Sequence, residues 1–128
     1  MTNLIICAIF FYILNLFLKM SFSLHKVPFV QWTYTKGDTS NITPTSQRIN
    51  TSLNNLTESM PIFLALAILS VVLDVDNLML AQSWIVLRVA YLLGAIFNLY
   101  QYKMIRPLIW LPSIIVMVLM GCNLYINV

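Results

Sequence analysis

Four apolar stretches, each long enough to cross a lipid bilayer, follow one another through a chain of only 128 residues. They run from about residue 4 to 22, 53 to 73, 78 to 100 and 105 to 126. The hydrocarbon core of a bilayer takes about 20 apolar residues in a helix, because every backbone N–H and C=O must find its partner inside the span. The pattern therefore predicts an all-α integral membrane protein, a bundle of four transmembrane helices forming one domain over residues 1–128. Composition agrees: 9% of the residues are charged, against about 25% in a soluble domain, too few to coat a water-facing globule. The first stretch lacks a basic leader and an A-x-A-like cleavage site, so it reads as a retained span and not a signal peptide.

The connections are unequal. Residues 23 to 47 carry Pro28, Gly37, Pro44 and many Ser, Thr and Asn, and form the one long loop. Asp74 to Asn77 suit a tight turn, with an N-cap for the third helix. Around Gln101 to Arg106 lies a second short turn. Pro107 fits the first turn of the last helix, and Pro112, deeper in, is expected to kink it unless the freed carbonyl finds another partner. Six of the seven cations, Lys19, Lys26, Lys36, Arg48, Lys103 and Arg106, fall at the first and third connections, which share one face of the membrane. By the positive-inside rule that face is cytoplasmic, and both termini lie on the other side.

Several function classes drop out. The net charge of +3 is spread over loops without a basic cluster, so no nucleic-acid partner is expected. Cys7 and Cys122 sit in apolar segments at opposite ends and His25 has no ligand neighbours, so no metal site is expected. Three sequons, at Asn41, Asn50 and Asn55, fall on the cytoplasmic side or inside the membrane and read as chance. A channel or transporter would need more polar lining and some repeat symmetry.

Against this apolar background two charges stand out: Glu58 in the second stretch and Arg88 near the middle of the third. A charge at membrane depth costs several kcal/mol unless paired or hydrated. The two either neutralise each other, as a lock on helix packing with Asn55 as interhelical glue, or line a polar pocket. Helical spacing puts Arg48, Asn55 and Glu58 on one side of the second helix, and Arg88 and Tyr91 one turn apart on the third. Asn98 and Tyr102 lie further toward the cytoplasmic side, and Arg106 returns at the rim. A crevice reached from the cytoplasm, lined by cations, amides, phenols and one carboxylate, follows from the spacing. Tyr100, Tyr102 and Trp110 would equally suit an aromatic belt at the headgroups.

The stretch from Gln47 to Leu66 resembles the second helix of the MAPEG family, the membrane-associated proteins in eicosanoid and glutathione metabolism. Arg48, Asn55, Glu58, Pro61, Phe63 and Ala65 fall at the spacings of that family's R-x(6)-N-x-x-E-x-x-P-x-F-x-A pattern. Trp84 to Tyr91 and Ile105 to Trp110 are similar to its third and fourth helices, and a bacterial-type member is the expectation. The resemblance implies a homotrimeric helical bundle that holds glutathione between neighbouring subunits. Its candidate catalytic groups are then Arg88, Arg106 and Tyr91. Arg48, Asn55, Glu58, Tyr100 and Tyr102 are candidates for binding the tripeptide. The implied activity is a glutathione transferase or peroxidase acting on lipophilic electrophiles or lipid hydroperoxides. Two departures point instead toward a non-catalytic relative, a lipid-binding protein or an accessory subunit of a larger membrane complex. Thr51 stands where catalytic relatives carry a second Arg, and Ala95 where many carry a Tyr.

Overall fold

The computed structural model describes residues 1–34 and 36–127. Four helices carry the bundle: α1 (Thr2–Ser21), α3 (Pro44–Val72), α4 (Leu78–Ile96) and α5 (Ile105–Asn127); a short α2 (Phe29–Thr33) interrupts the long loop. All four long helices are long and apolar enough to cross a membrane, and the protein is a multi-pass integral membrane protein.

The second span is longer than its apolar run. α3 starts at Pro44, where Thr43 accepts the N–H of Ser46 on its side-chain oxygen and Pro44 occupies the first turn, a standard N-terminal arrangement. At 29 residues it measures about 43 Å. The polar residues 44 to 52, about two and a half turns, are therefore helix, and the loop expected to reach residue 47 ends at Thr43.

The packing of α3, α4 and α5 follows a spacing that alternates four and three. α3 buries Ile49, Leu53, Leu56, Met60, Phe63 and Ala67; α4 buries Ala81, Trp84, Arg88, Tyr91 and Ala95; α5 buries Ser113, Met117, Met120 and Leu124. A seam repeating every 3.5 residues is the one that packs helices knobs-into-holes. Phe63 and Trp84 meet at its centre as parallel stacked rings, 3.9 Å between centroids. α1 packs mainly on α3 and buries only Ala8 and Asn15, leaving most of its circumference for lipid.

The far end of the bundle, where α3 turns into α4, is tied by one side chain. Asn77 is not the expected side-chain cap of α4; the Asp76 carboxylate accepts the N–H of Leu78 instead. Asn77 is buried, donates to Ser70 Oγ (2.9 Å) and the Met120 carbonyl (3.3 Å), and accepts from Asn123 Nδ2 (2.9 Å). Three helices are joined there with every polar atom of the carboxamide engaged.

The third span is shorter than its apolar run. α4 stops at Ile96, Asn98 adopts a left-handed conformation (φ 57°), and residues Leu99–Gln101 form a single 3₁₀ turn. Asn is one of the few residues that enters this region readily, which makes it a helix terminator.

Candidate functional site

α3 and α4 run antiparallel, so Arg48 lies beside Ala95, Asn55 beside Arg88, and Ser70 beside Asn77. Arg88 is then about 15 Å along the axis from Leu78 and about 12 Å from Ile96, near the middle of its span. Glu58 stands midway along α3.

Arg88 is 3% exposed and occupies a seam position that apolar residues fill elsewhere. Its guanidinium lies 5.1 Å from the Trp84 ring centroid, so the stacked Phe63–Trp84 pair forms its floor. A desolvated cation over an indole gains about 2 kcal/mol. Nη1 donates to Asn55 Oδ1. Nε and Nη2 are buried without a hydrogen-bond partner among the described residues. Glu58 does not take them. It is exposed at the edge of α3, so the acid and the guanidinium do not tie each other off.

What separates them is open space. A cavity of about 200 Å³ is lined by Asn55, Glu58, Ser59 and Arg88 at one side and by Ile62, Trp110, Ile114 and Met117 at the other. A second cavity of about 390 Å³ is lined by Asn55, Glu58, Arg106, Pro107 and Trp110. Asn55, Glu58 and Trp110 border both, so the two form one crevice between α3 and α5 with a polar mouth and an apolar end. A third, of about 160 Å³, lies behind Arg106 and is lined by Arg48, Thr51, Ser52, Tyr91 and Tyr100.

Arg106 is the wall between them, and its position is fixed: Nε donates to the Tyr91 hydroxyl (2.8 Å). It sits in the first turn of α5, at the positive end of the helix dipole, a place that disfavours a cation and favours an anion beside it. Arg48 has a structural duty. Its Nε donates to the Ala95 carbonyl (2.9 Å) and its Nη2 to Thr45 Oγ1 (3.1 Å), which caps the negative end of α4.

The 3₁₀ turn decides which phenol joins the site. Tyr100 folds back to donate to the Tyr91 carbonyl (2.5 Å), its ring 5.0 Å from that of Tyr91. Gly94 makes room: a Cβ there would stand 2.7 Å from the Tyr100 oxygen. Burial raises the pKa of Tyr100 above the ordinary tyrosine range. Tyr102, by contrast, is exposed and lines none of these three cavities, and Asn98 is exposed as well. The spacing that grouped them with the crevice assumed a helix that α4 does not continue. At the position of the expected second Arg, Thr51 turns its hydroxyl to the Gln47 carbonyl of its own helix (3.2 Å).

Of the sequence candidates, Arg48, Asn55, Glu58, Arg88, Tyr91, Tyr100 and Arg106 are brought together around the three cavities, and Tyr102 is not. Trp110, which its sequence position suited to an aromatic belt, lines both parts of the crevice, and Ile62, Ile114 and Met117, within the apolar runs, line its apolar end. Their spacing from Glu58 and Arg106 on α3 and α5 was the available clue. Two guanidinium groups, Arg88 and Arg106, share the crevice with one carboxylate, Glu58, an excess of positive charge that suits an anionic ligand. Among the described residues no group of three or more His, Cys, Asp or Glu side chains is placed to hold a metal ion.

The model of the MAPEG family matches residues 4–125. No curated protein and no solved structure gives a match.

Proposed function

The chain belongs to the MAPEG family, and from that premise we propose that it is a membrane-bound, glutathione-dependent transferase or peroxidase acting on lipophilic electrophiles or lipid hydroperoxides. The observation that carries this reading is Arg88: a buried guanidinium at membrane depth with two nitrogens, Nε and Nη2, unpartnered among the described residues, on a cavity it shares with Glu58. A buried donor left without a partner costs about 1–3 kcal/mol, more when charged. A bound anion recovers it.

The residues fit glutathione, which has two carboxylates, one ammonium group and a thiol. Glu58 receives the ammonium group, and Asn55, whose Oδ1 is held by Arg88, offers its Nδ2 to a peptide carbonyl. Arg88 and Arg106 take anionic groups; a fixed guanidinium in a water-poor site favours the thiolate over the thiol. Bound glutathione supplies the sulfur nucleophile. Tyr91 holds Arg106 at the wall of the crevice. Trp110, Ile114 and Met117 form the apolar end that admits the lipophilic partner and excludes water. The reading includes one domain, both termini on the non-cytoplasmic side, the crevice reached from the cytoplasm, and a homotrimer in which a neighbouring subunit closes the open edge at Glu58. The neutral Thr51 side chain, engaged by its own helix, favours a second reading, a lipid-binding or accessory member.

Thermal unfolding of the detergent-solubilised protein separates the two. Glutathione at 100 times its Kd stabilises by about 2.7 kcal/mol, and Glu58→Gln should reduce that stabilisation sharply. No stabilisation at millimolar glutathione supports the accessory member and sinks the transferase.

A further inference from the structure

The loop between α1 and α3 is pinned where it leaves and where it returns. Ser23 Oγ accepts from the backbone N–H of Thr43 (2.9 Å) and donates to Ser46 Oγ (2.5 Å), and Ser46 Oγ donates to the Lys19 carbonyl (2.8 Å). The loop thus leaves and re-enters at one point, level with the helix ends.

In water such a loop would turn its apolar residues inward. Here the opposite face is also apolar. α2 packs one side inward, where Trp32 donates to the Val27 carbonyl (3.3 Å) beneath the Lys19 ammonium, 5.7 Å from its ring. The other side presents Phe29 (58% exposed), Val30 (53%) and, just beyond, Tyr34 (66%). Lys26 and Lys36 bracket these residues in the sequence and are exposed. The loop's one acid, Asp38, is engaged by the N–H and hydroxyl of Ser40. An apolar face bracketed in sequence by lysines, at the level where helices leave the membrane, has the charge and polarity of an interfacial element.

We propose that this loop is a docking surface for anionic phospholipid headgroups, with Phe29, Val30 and Tyr34 seated in the interfacial layer and Lys26 and Lys36 on the phosphates. It does not depend on the glutathione reading.

The test uses the full chain with Cys7→Ser and Cys122→Ser, and an environment-sensitive fluorophore on Phe29→Cys, reconstituted in vesicles of mixed phosphatidylglycerol and phosphatidylcholine. The expected emission is blue-shifted from that of the free dye, with stronger quenching when the quencher rides on phosphatidylglycerol than on phosphatidylcholine. Neutralising a lysine near an anionic surface should lower the local enrichment about fivefold, so Lys26→Gln with Lys36→Gln should lower it roughly 25-fold while the blue shift stays. Water-like emission in lipid would assign the face to a protein partner and overturn the proposal. Equal quenching by the two lipids would overturn its anionic character.

Discussion

Asn77, the residue that precedes α4, and Arg88, on the seam of that helix, are 1% and 3% exposed, yet their surroundings differ in kind. Asn77 has both of its donors and its acceptor engaged by α3 and α5. Arg88 has one bond to Asn55 and two nitrogens, Nε and Nη2, without a partner among the described residues. In a medium without water, a satisfied polar group tightens packing, and an unsatisfied charged one is a standing cost. One end of the bundle is built as a clamp. The other half keeps unmet hydrogen-bonding capacity beside a cavity, which is what a ligand seat requires.

The sharpest way to break this contrast is Arg88→Met. It should abolish the stabilisation of about 2.7 kcal/mol that saturating glutathione confers, while leaving the unliganded protein no less stable, since a buried cation is replaced by an apolar side chain of similar length. Full retention of the glutathione shift in thermal unfolding would remove Arg88 from the site. Asn77→Ala should behave in the reverse manner. Three interhelical hydrogen bonds at about 0.6 kcal/mol each put the loss near 2 kcal/mol, visible as a lower unliganded midpoint with the glutathione shift intact.

Gly94→Ala probes the turn between the two halves. A Cβ there collides with the Tyr100 phenol, so the ring must leave and its bond to the Tyr91 carbonyl is lost. We expect about 1 kcal/mol of destabilisation and weaker glutathione binding, measured by titration calorimetry; Tyr100→Phe should reproduce the binding loss with less cost to the fold. The smallest effect belongs to Gly121→Ala. Its Cβ would meet Leu66 Cδ2 at an ordinary 3.7 Å, and removing a helical glycine gains about 0.5–1 kcal/mol. A clear loss of stability there would mean that a second subunit packs against Gly121.

The seams of α3, α4 and α5 leave a trace in the sequence that the apolar background hides from a reading by hydropathy. Ile49, Leu53, Leu56, Met60 and Phe63 keep the four-three spacing, as do Ala81, Trp84, Arg88 and Tyr91. α1 leaves no such trace: it is apolar all round, so nothing in its pattern separates the Ala8–Asn15 face from the lipid face. Arg48 illustrates a different gap. Its position at the rim was readable, but its use as the cap of α4 depends on where α4 ends. That end was marked by Asn98, an Asn placed where a helix must reverse its backbone, and the apolar run beyond it obscured the mark.

Sequence alone determined the solvent and the element type, because hydrocarbon admits no unpaired backbone and 60% hydrophobic content leaves few other folds. It also determined that Asn55, Glu58 and Arg88 would sit at membrane depth, since helical rise converts residue number directly into depth. Only the tertiary structure decided what each does with its hydrogen bonds. Partner choice depends on where helices end and how they cross, so the same burial left Asn77 closed and Arg88 open.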